Sequence, residues 1–93
     1  MKVYIAGSIT GNDNYQAEFA HAEKVLAEAG NIVLNPAILP KGFTQEEYMS
    51  VCIPMLSICD AIYLLRGWEP SIGANIEKLH AEHIGKIIIF EKE

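Results

Sequence analysis

The segment GWEPSIGANIE, residues 67–77, joins a glycine-containing loop to an acidic residue near the start of a predicted helix. Ser71 is of a type that caps helices, which leaves the amides of Gly73 and Ala74 free to bind a phosphate or carboxylate. Glu77 follows one turn later, and helical side chains lean toward the N-terminus, so its carboxylate is predicted to face this loop. The helix dipole favours its ionised form, which suits a nucleophile or base. A solvated surface glutamate is the alternative.

A second glycine-containing loop, GSITGND at residues 7–13, follows the first apolar run of the chain. Its small hydroxyl residues and glycines resemble the phosphate loop of flavodoxins, so a flavin-binding protein is one alternative. Asp13 argues against it, because an acidic side chain repels a phosphate. A colourless purified protein would also count against a flavin.

Strands and helices alternate along the sequence. Short apolar runs predict strands at residues 2–6, 31–35, 61–65 and 86–90. Three- and four-residue spacing and end signals predict helices at residues 13–29, from 45 toward 59, and at 71–84. Asp13 is the predicted cap of the first helix, and Thr44 with Glu47 forms a capping box for the second. Pro54 predicts a kink in the second helix or two shorter helices.

This alternation predicts a single α/β domain over residues 1–93. Near-continuous apolar strands indicate a parallel sheet covered by helices on both faces. Right-handed crossovers favour a small doubly wound, flavodoxin-like sheet in the order 2-1-3-4. Its switch point lies between strands 1 and 3, where the two glycine-containing loops meet and where ligands bind in such sheets.

Composition limits the range of partners. Seven basic against twelve acidic residues give a net charge of −5, which argues against a nucleic-acid polymer as partner. No apolar run is long enough for a membrane span or a signal peptide, so we expect a cytoplasmic protein without membrane contact. Cys52 and Cys59 match no zinc or CxxC spacing, and we expect reduced, mostly buried thiols and no metal.

Four segments, YIAGSITG, NPA, CDAIYLL and GWEPSIGANIE, resemble the nucleoside 2-deoxyribosyltransferase superfamily, in particular its small uncharacterised relatives. The resemblance covers almost the whole chain and preserves the order and spacing of the motifs. It implies an enzyme, without a cofactor, that acts on the N-glycosidic bond of a nucleoside or nucleotide.

The resemblance also implies residue roles. Glu77 matches the nucleophile that attacks the anomeric carbon, and the glycosyl ester then passes to another base or to water. Tyr4 matches a tyrosine that orients this glutamate. In the branch that cleaves nucleoside 5′-monophosphates, Ser8 and Ser71 match phosphate-binding serines, whereas the transferase branch has an aspartate in place of Ser71. The predicted binding residues in the two loops are Gly7, Ser8, Ile9, Gly11, Ser71 and Gly73.

Two positions depart from the family pattern. Cys52 stands where the family has a second carboxylate, which helps to protonate the leaving base, and a thiol is a poor replacement. Asp60 is a weak candidate for this acid, and Glu69 is another. A nucleotide-binding module that has lost turnover is therefore the competing hypothesis. Thr10 replaces an arginine of the nucleotide-cleaving branch, with Arg66 as the candidate substitute.

Two apolar features remain. Trp68, in the loop over the predicted crevice, is a candidate for stacking on a base, with subunit contact or loop packing as alternatives. The segment YMSVCIPMLSIC is apolar almost all round, more than one sheet face requires. We therefore expect a homodimer or larger assembly through this helix.

Overall fold

The structure, a computed structural model, describes residues 1–92 and contains a four-stranded sheet flanked by helices. The elements in chain order are β1 (Lys2–Ala6), α1 (Tyr15–Glu28), β2 (Ile32–Leu34), a short 3-10 helix (Pro36–Ile38), α2 (Gln45–Ser57), β3 (Ala61–Leu64), α3 (Ile72–His83) and β4 (Ile87–Phe90). All three strand pairings are parallel, and the strand order is β2-β1-β3-β4. The predicted fold class and strand order are confirmed.

The two faces of the sheet are covered by different helices, because successive side chains along a strand point to opposite faces. The core on the α1 face consists of Val3, Ile5, Phe19, Ala22, Leu26, Ala37, Ala61 and Leu65. The core on the α2 and α3 face consists of Tyr4, Ala6, Cys52, Leu56, Cys59, Ile62, Leu64, Ala74 and Ala81. Tyr4 therefore points toward the same face as Cys52 and the start of α3.

The helix ends follow the sequence signals only in part. The capping box of α2 is present: the Glu47 amide donates to Thr44 Oγ1, and the Thr44 amide donates to Glu47 Oε1. The Asp13 cap is wrong, because the cap residue of α1 is Asn14, and the Asn14 amide donates to Asn12 Oδ1 in a local turn instead.

Pro54 lies inside one continuous helix, Gln45–Ser57, rather than between two short ones. The amide that proline lacks would have bonded the carbonyl of Ser50. Ser50 is exposed, so water can satisfy that carbonyl at little cost. Within residues 1–92, no helix is long and apolar enough to cross a membrane.

Candidate active site

A cavity of about 810 Å³ opens at the carboxyl edge of the sheet. Its volume lies within the range of sites for small molecules. The wall is built by the loop after β1, the start of α1, the segment between β2 and α2, the first turns of α2, and the N-terminus of α3. The two glycine-containing loops therefore meet at the predicted switch point.

Glu77 lies in the second turn of α3 and lines this cavity while only 5% exposed. The fully buried Tyr4 donates a hydrogen bond from its hydroxyl to Glu77 Oε2. Burial raises the pKa of Glu77 to about 7, and the hydrogen bond from Tyr4 opposes this shift. The solvated-surface alternative is therefore wrong. The expectation that Glu77 is held in its ionised form is not met, because burial raises its pKa.

Tyr4 is held as a proton donor. Burial, followed by the nearby Glu77 carboxylate, raises the pKa of Tyr4 far above its usual range. A phenol that stays protonated can stabilise the carboxylate beside it without competing for its proton. Tyr4 and Glu77, which are 73 residues apart in sequence, thus form one buried pair.

Cys52 of α2 completes the floor of the cavity beside this pair. Cys52 is 5% exposed, Cys59 is 1% exposed, and both thiols are free. Burial raises the pKa of Cys52, a hydrogen bond with Tyr4 opposes this, and the Glu77 charge adds to the rise. Among the lining residues of the described chain, Glu77 is the only carboxylate. The described residues around the Glu77 side chain therefore contribute no second carboxylate to the cavity wall.

The N-terminus of α3 differs from the prediction in one respect. Ser71 is the cap residue, and its Oγ accepts the amide of Ala74 at 3.1 Å, so that amide is not free for a ligand. Asn75 fixes the loop by donating from Nδ2 to the carbonyls of Ser71 and Glu69. Gly73 lines the cavity, and a Cβ added there would lie 3.0 Å from Nε2 of Gln45.

The loop after β1 contributes Ser8, Ile9 and Thr10 to the cavity wall. Gly7 also lines it, and a Cβ there would come within 3.1 Å of Leu65, so the loop packs closely against the end of β3. Gly11 lies outside the lining, and its φ of +76° turns the chain toward α1.

Three predicted contributors lie elsewhere. Trp68 packs against Phe90, with ring centroids 6.0 Å apart, rather than over the crevice. Asp60 lies at the amino end of β3, the opposite edge of the sheet, where it accepts the Lys2 amide at 2.8 Å. Arg66 is paired with Glu91 and does not line the cavity.

Sequence reasoning missed one side of the cavity. The segment between β2 and α2 was predicted only as a loop, yet it and the neighbouring helices line the cavity with Leu39, Lys41, Phe43, Gln45 and Tyr48. The strand order contained a usable signal, because the loop after β2 reaches the same edge as the loops after β1 and β3.

Comparisons with known proteins agree with this fold. A family model described as "Domain of unknown function (DUF4406)" matches residues 1–90. No curated protein matches the chain. A solved 2-desoxiribosyltransferase from Leishmania mexicana is similar, with a TM-score of 0.75 and 24% sequence identity. The match covers 96% of this chain but 62% of that chain, so this chain spans less than two thirds of that protein. The likeness shows that the two chains share a fold.

Proposed function

The chain belongs to the DUF4406 family, and we propose that it cleaves or transfers the N-glycosidic bond of a nucleoside or nucleotide through Glu77. The observation that carries this proposal is a single buried carboxylate, hydrogen-bonded by Tyr4, on the wall of a ligand-sized cavity. The fold it shares with a 2-desoxiribosyltransferase supports the choice of reaction.

In the proposed reaction, an oxygen of the Glu77 carboxylate bonds to C1′ of the sugar. The C1′–N bond breaks, and its electron pair leaves with the base. The carboxylate stabilises the oxocarbenium-like transition state by its charge before it captures C1′ as an ester. Water or a second base then attacks C1′ and releases the carboxylate. When water attacks, its hydroxyl stays on the sugar and its other proton ends on the base.

The remaining walls suit the sugar and a 5′-phosphate. Ser8 and Thr10 offer hydroxyls from the loop after β1, and Ser71 and Gly73 lie at the start of α3. Hydroxyls and a helix N-terminus are favourable neighbours for a phosphate. We therefore propose that the ligand is a small nucleoside or nucleotide and that its phosphate, when present, lies toward Ser71.

A binding module without turnover is the second candidate. It is favoured by Cys52, which occupies the floor of the site where an acid would assist departure of the base. The raised pKa of this thiol makes it a weak proton donor at neutral pH. The loss of general acid help costs ~10² to 10⁴ in rate, so slow turnover also fits.

The test is incubation with a panel of nucleosides and 5′-monophosphates, followed by chromatography for free base. We expect the parent to release base and Glu77→Gln to lose at least ~10³-fold of that rate. Glu82→Gln is the matched control, because Glu82 is an exposed glutamate of the same helix. If no base appears but a nucleotide raises the melting temperature, the binding module is correct. Equal rates for Glu77→Gln and the parent would remove Glu77 from the mechanism.

A further inference from the structure

The β2 side of the cavity carries a lysine and three aromatic rings that the mechanism above does not use. Lys41 Nζ lies 5.9 Å from the ring centroid of Tyr15. Phe43 and Tyr48 pack edge to face, with centroids 5.6 Å apart. The Tyr48 hydroxyl donates to the Pro40 carbonyl at 2.7 Å, which ties α2 to the loop that carries Lys41. All four side chains belong to residues that line the cavity.

This lysine-aromatic group, Lys41 with Tyr15, Phe43 and Tyr48, extends from α1 on one face of the sheet to α2 on the other, where α2 contacts the start of α3. β1 is between β2 and β3 in the sheet, so the segment after β2 and the segment after β3 flank β1 from opposite sides. Tyr4 is on β1, and its hydroxyl bonds the Glu77 carboxylate of α3. A nucleotide with its sugar over Glu77 and its phosphate toward Ser71 has its base on the far side of the cavity, where Lys41 lies beside Tyr15 of α1.

The chemistry of the group fits a base with an oxygen acceptor. Among the described residues that line the cavity, Lys41 is the only one with a basic side chain. Neither ion pair found within residues 1–92 includes it. An ammonium group donates hydrogen bonds and accepts none, so it matches a carbonyl oxygen and not an amino group. Aromatic faces stack on bases of any kind and add affinity without selecting among them.

We propose that Lys41 binds the carbonyl oxygen of the base and that the site therefore prefers oxo-bases, such as hypoxanthine, over amino-bases, such as adenine. This inference rests on the proposed function, because it assigns the base end of the same site. Lys41 also assists departure of the base, for which the Cys52 thiol is a poor acid. As the C1′–N bond breaks and its electrons pass to the base, the charge of Lys41 stabilises the negative charge that develops there.

The test compares 2′-deoxyinosine and 2′-deoxyadenosine 5′-monophosphates, which differ at position 6 of the base and in the proton on N1. Affinities are measured by calorimetry in a Glu77→Gln background, where no substrate is consumed. We expect preference for the inosine nucleotide, and Lys41→Met to weaken its binding about tenfold, the worth of one charge-assisted hydrogen bond. Binding of the adenosine nucleotide should change less than about twofold, because its amino group offers Lys41 no acceptor. Lys24→Met, on α1 away from the cavity, is the control and should leave both affinities unchanged.

Several results would overturn the inference. Equal affinity of the Glu77→Gln protein for the two nucleotides would overturn it. An equal loss of affinity for both nucleotides in Lys41→Met would also overturn it, because the lysine would then bind the phosphate or sugar. Failure of both nucleotides to bind would also overturn it. A lysine-dependent preference without any base release would reject the proposed reaction and retain the base site. Base release by the parent, together with an unchanged preference in Lys41→Met, would retain the proposed reaction and reject the base site.

Discussion

Two opposing effects set the charge of Glu77. Burial of its side chain favours the neutral acid, whereas the hydrogen bond from Tyr4 favours the carboxylate, and the resulting pKa is about 7. A nucleophile must be ionised, so the fraction of active protein should rise with pH through this value. The pair therefore makes the proposed reaction sensitive to pH near neutrality.

We predict that kcat/KM for base release rises with pH and levels off above about 7. In Tyr4→Phe the carboxylate loses its hydrogen-bond donor, so the rise in rate should occur about one pH unit higher. This shift corresponds to the free energy of one hydrogen bond to a charged group. Initial rates between about pH 5 and 9 would measure both profiles. Tyr63→Phe is the control, because Tyr63 lies on β3 and outside the cavity lining. Superimposable profiles for Tyr4→Phe and the parent would contradict the role of Tyr4.

The direction of Glu77 could be predicted from sequence, but its environment could not. Helical spacing from Gly73 and the strand order place the side chain at the crevice. Depth of burial depends on how α2 packs beside α3, and no local pattern contains that information. Lys41 was missed for a related reason, because a loop without periodicity has no pattern that assigns its side chains to a wall.

Sequence signals for helix ends predicted the structure correctly where no neighbouring polar side chain competed for the same backbone amides. Thr44 and Glu47 form the predicted capping box, since each satisfies the other's backbone amide. At the start of α1, three consecutive short polar residues compete for the same amides, and the Asn14 amide donates to Asn12 Oδ1 instead of Asp13 capping the helix. Single-residue cap predictions are least secure in such runs.

The contact between α3 and α2 at Gly73 gives a prediction in which stability and binding change in opposite directions. A methyl group there would lie 3.0 Å from Gln45 Nε2 and 3.5 Å from Met49 Cε, the ends of two flexible side chains that can move aside. Alanine is favoured over glycine in a helix by up to about 1 kcal/mol. Gly73→Ala should therefore keep or raise the melting temperature while it weakens nucleotide binding, because the methyl group occupies the cavity wall.

Thermal unfolding and calorimetry of the parent, Gly73→Ala and Gly73→Ala with Gln45→Ala would measure the two effects. Recovery of affinity in the double variant would assign the loss to a displaced Gln45. Persistent loss would assign it to the methyl group itself. A Gly73→Ala protein that unfolds more easily yet binds normally would contradict the prediction.

At the scale of the whole molecule, the strand order was predictable because right-handed crossovers between parallel strands leave few arrangements. Self-association could not be predicted in the same way. Val51 of the apolar helix α2 and Ile58, the residue after its end, are exposed, at 46% and 64%, whereas Cys52 and Leu56 of the helix are buried. Their exposure is consistent with an assembly through this helix, which stays a prediction, because a sequence pattern identifies an apolar surface and not its partner.

Burial of Glu77 should also change how the stability of the whole chain depends on pH. The folded pKa is about 7 and the ordinary value is 4.5, so between these values the folded protein binds more protons than the unfolded chain. The free energy of unfolding contributed by this group is therefore fully present below pH 4.5 and is lost as pH rises to about 7. The loss is at most about 3 kcal/mol.

Glu77→Gln removes this titration and keeps an acceptor for the Tyr4 hydroxyl. We predict that unfolding by urea at pH 5 and pH 8 shows a smaller decline in stability for Glu77→Gln than for the parent. The variant should be the more stable protein at pH 8. The difference between the two proteins isolates Glu77, because other groups, such as Asp60, titrate alike in both. A buried carboxylate lowers the stability of the protein near neutral pH. Such a loss of stability is expected of a reactive group and not of a residue that only packs. If the free energies of unfolding of the two proteins changed with pH in parallel, Glu77 would not lower the stability of the parent. Burial would then be removed as the cause of its raised pKa.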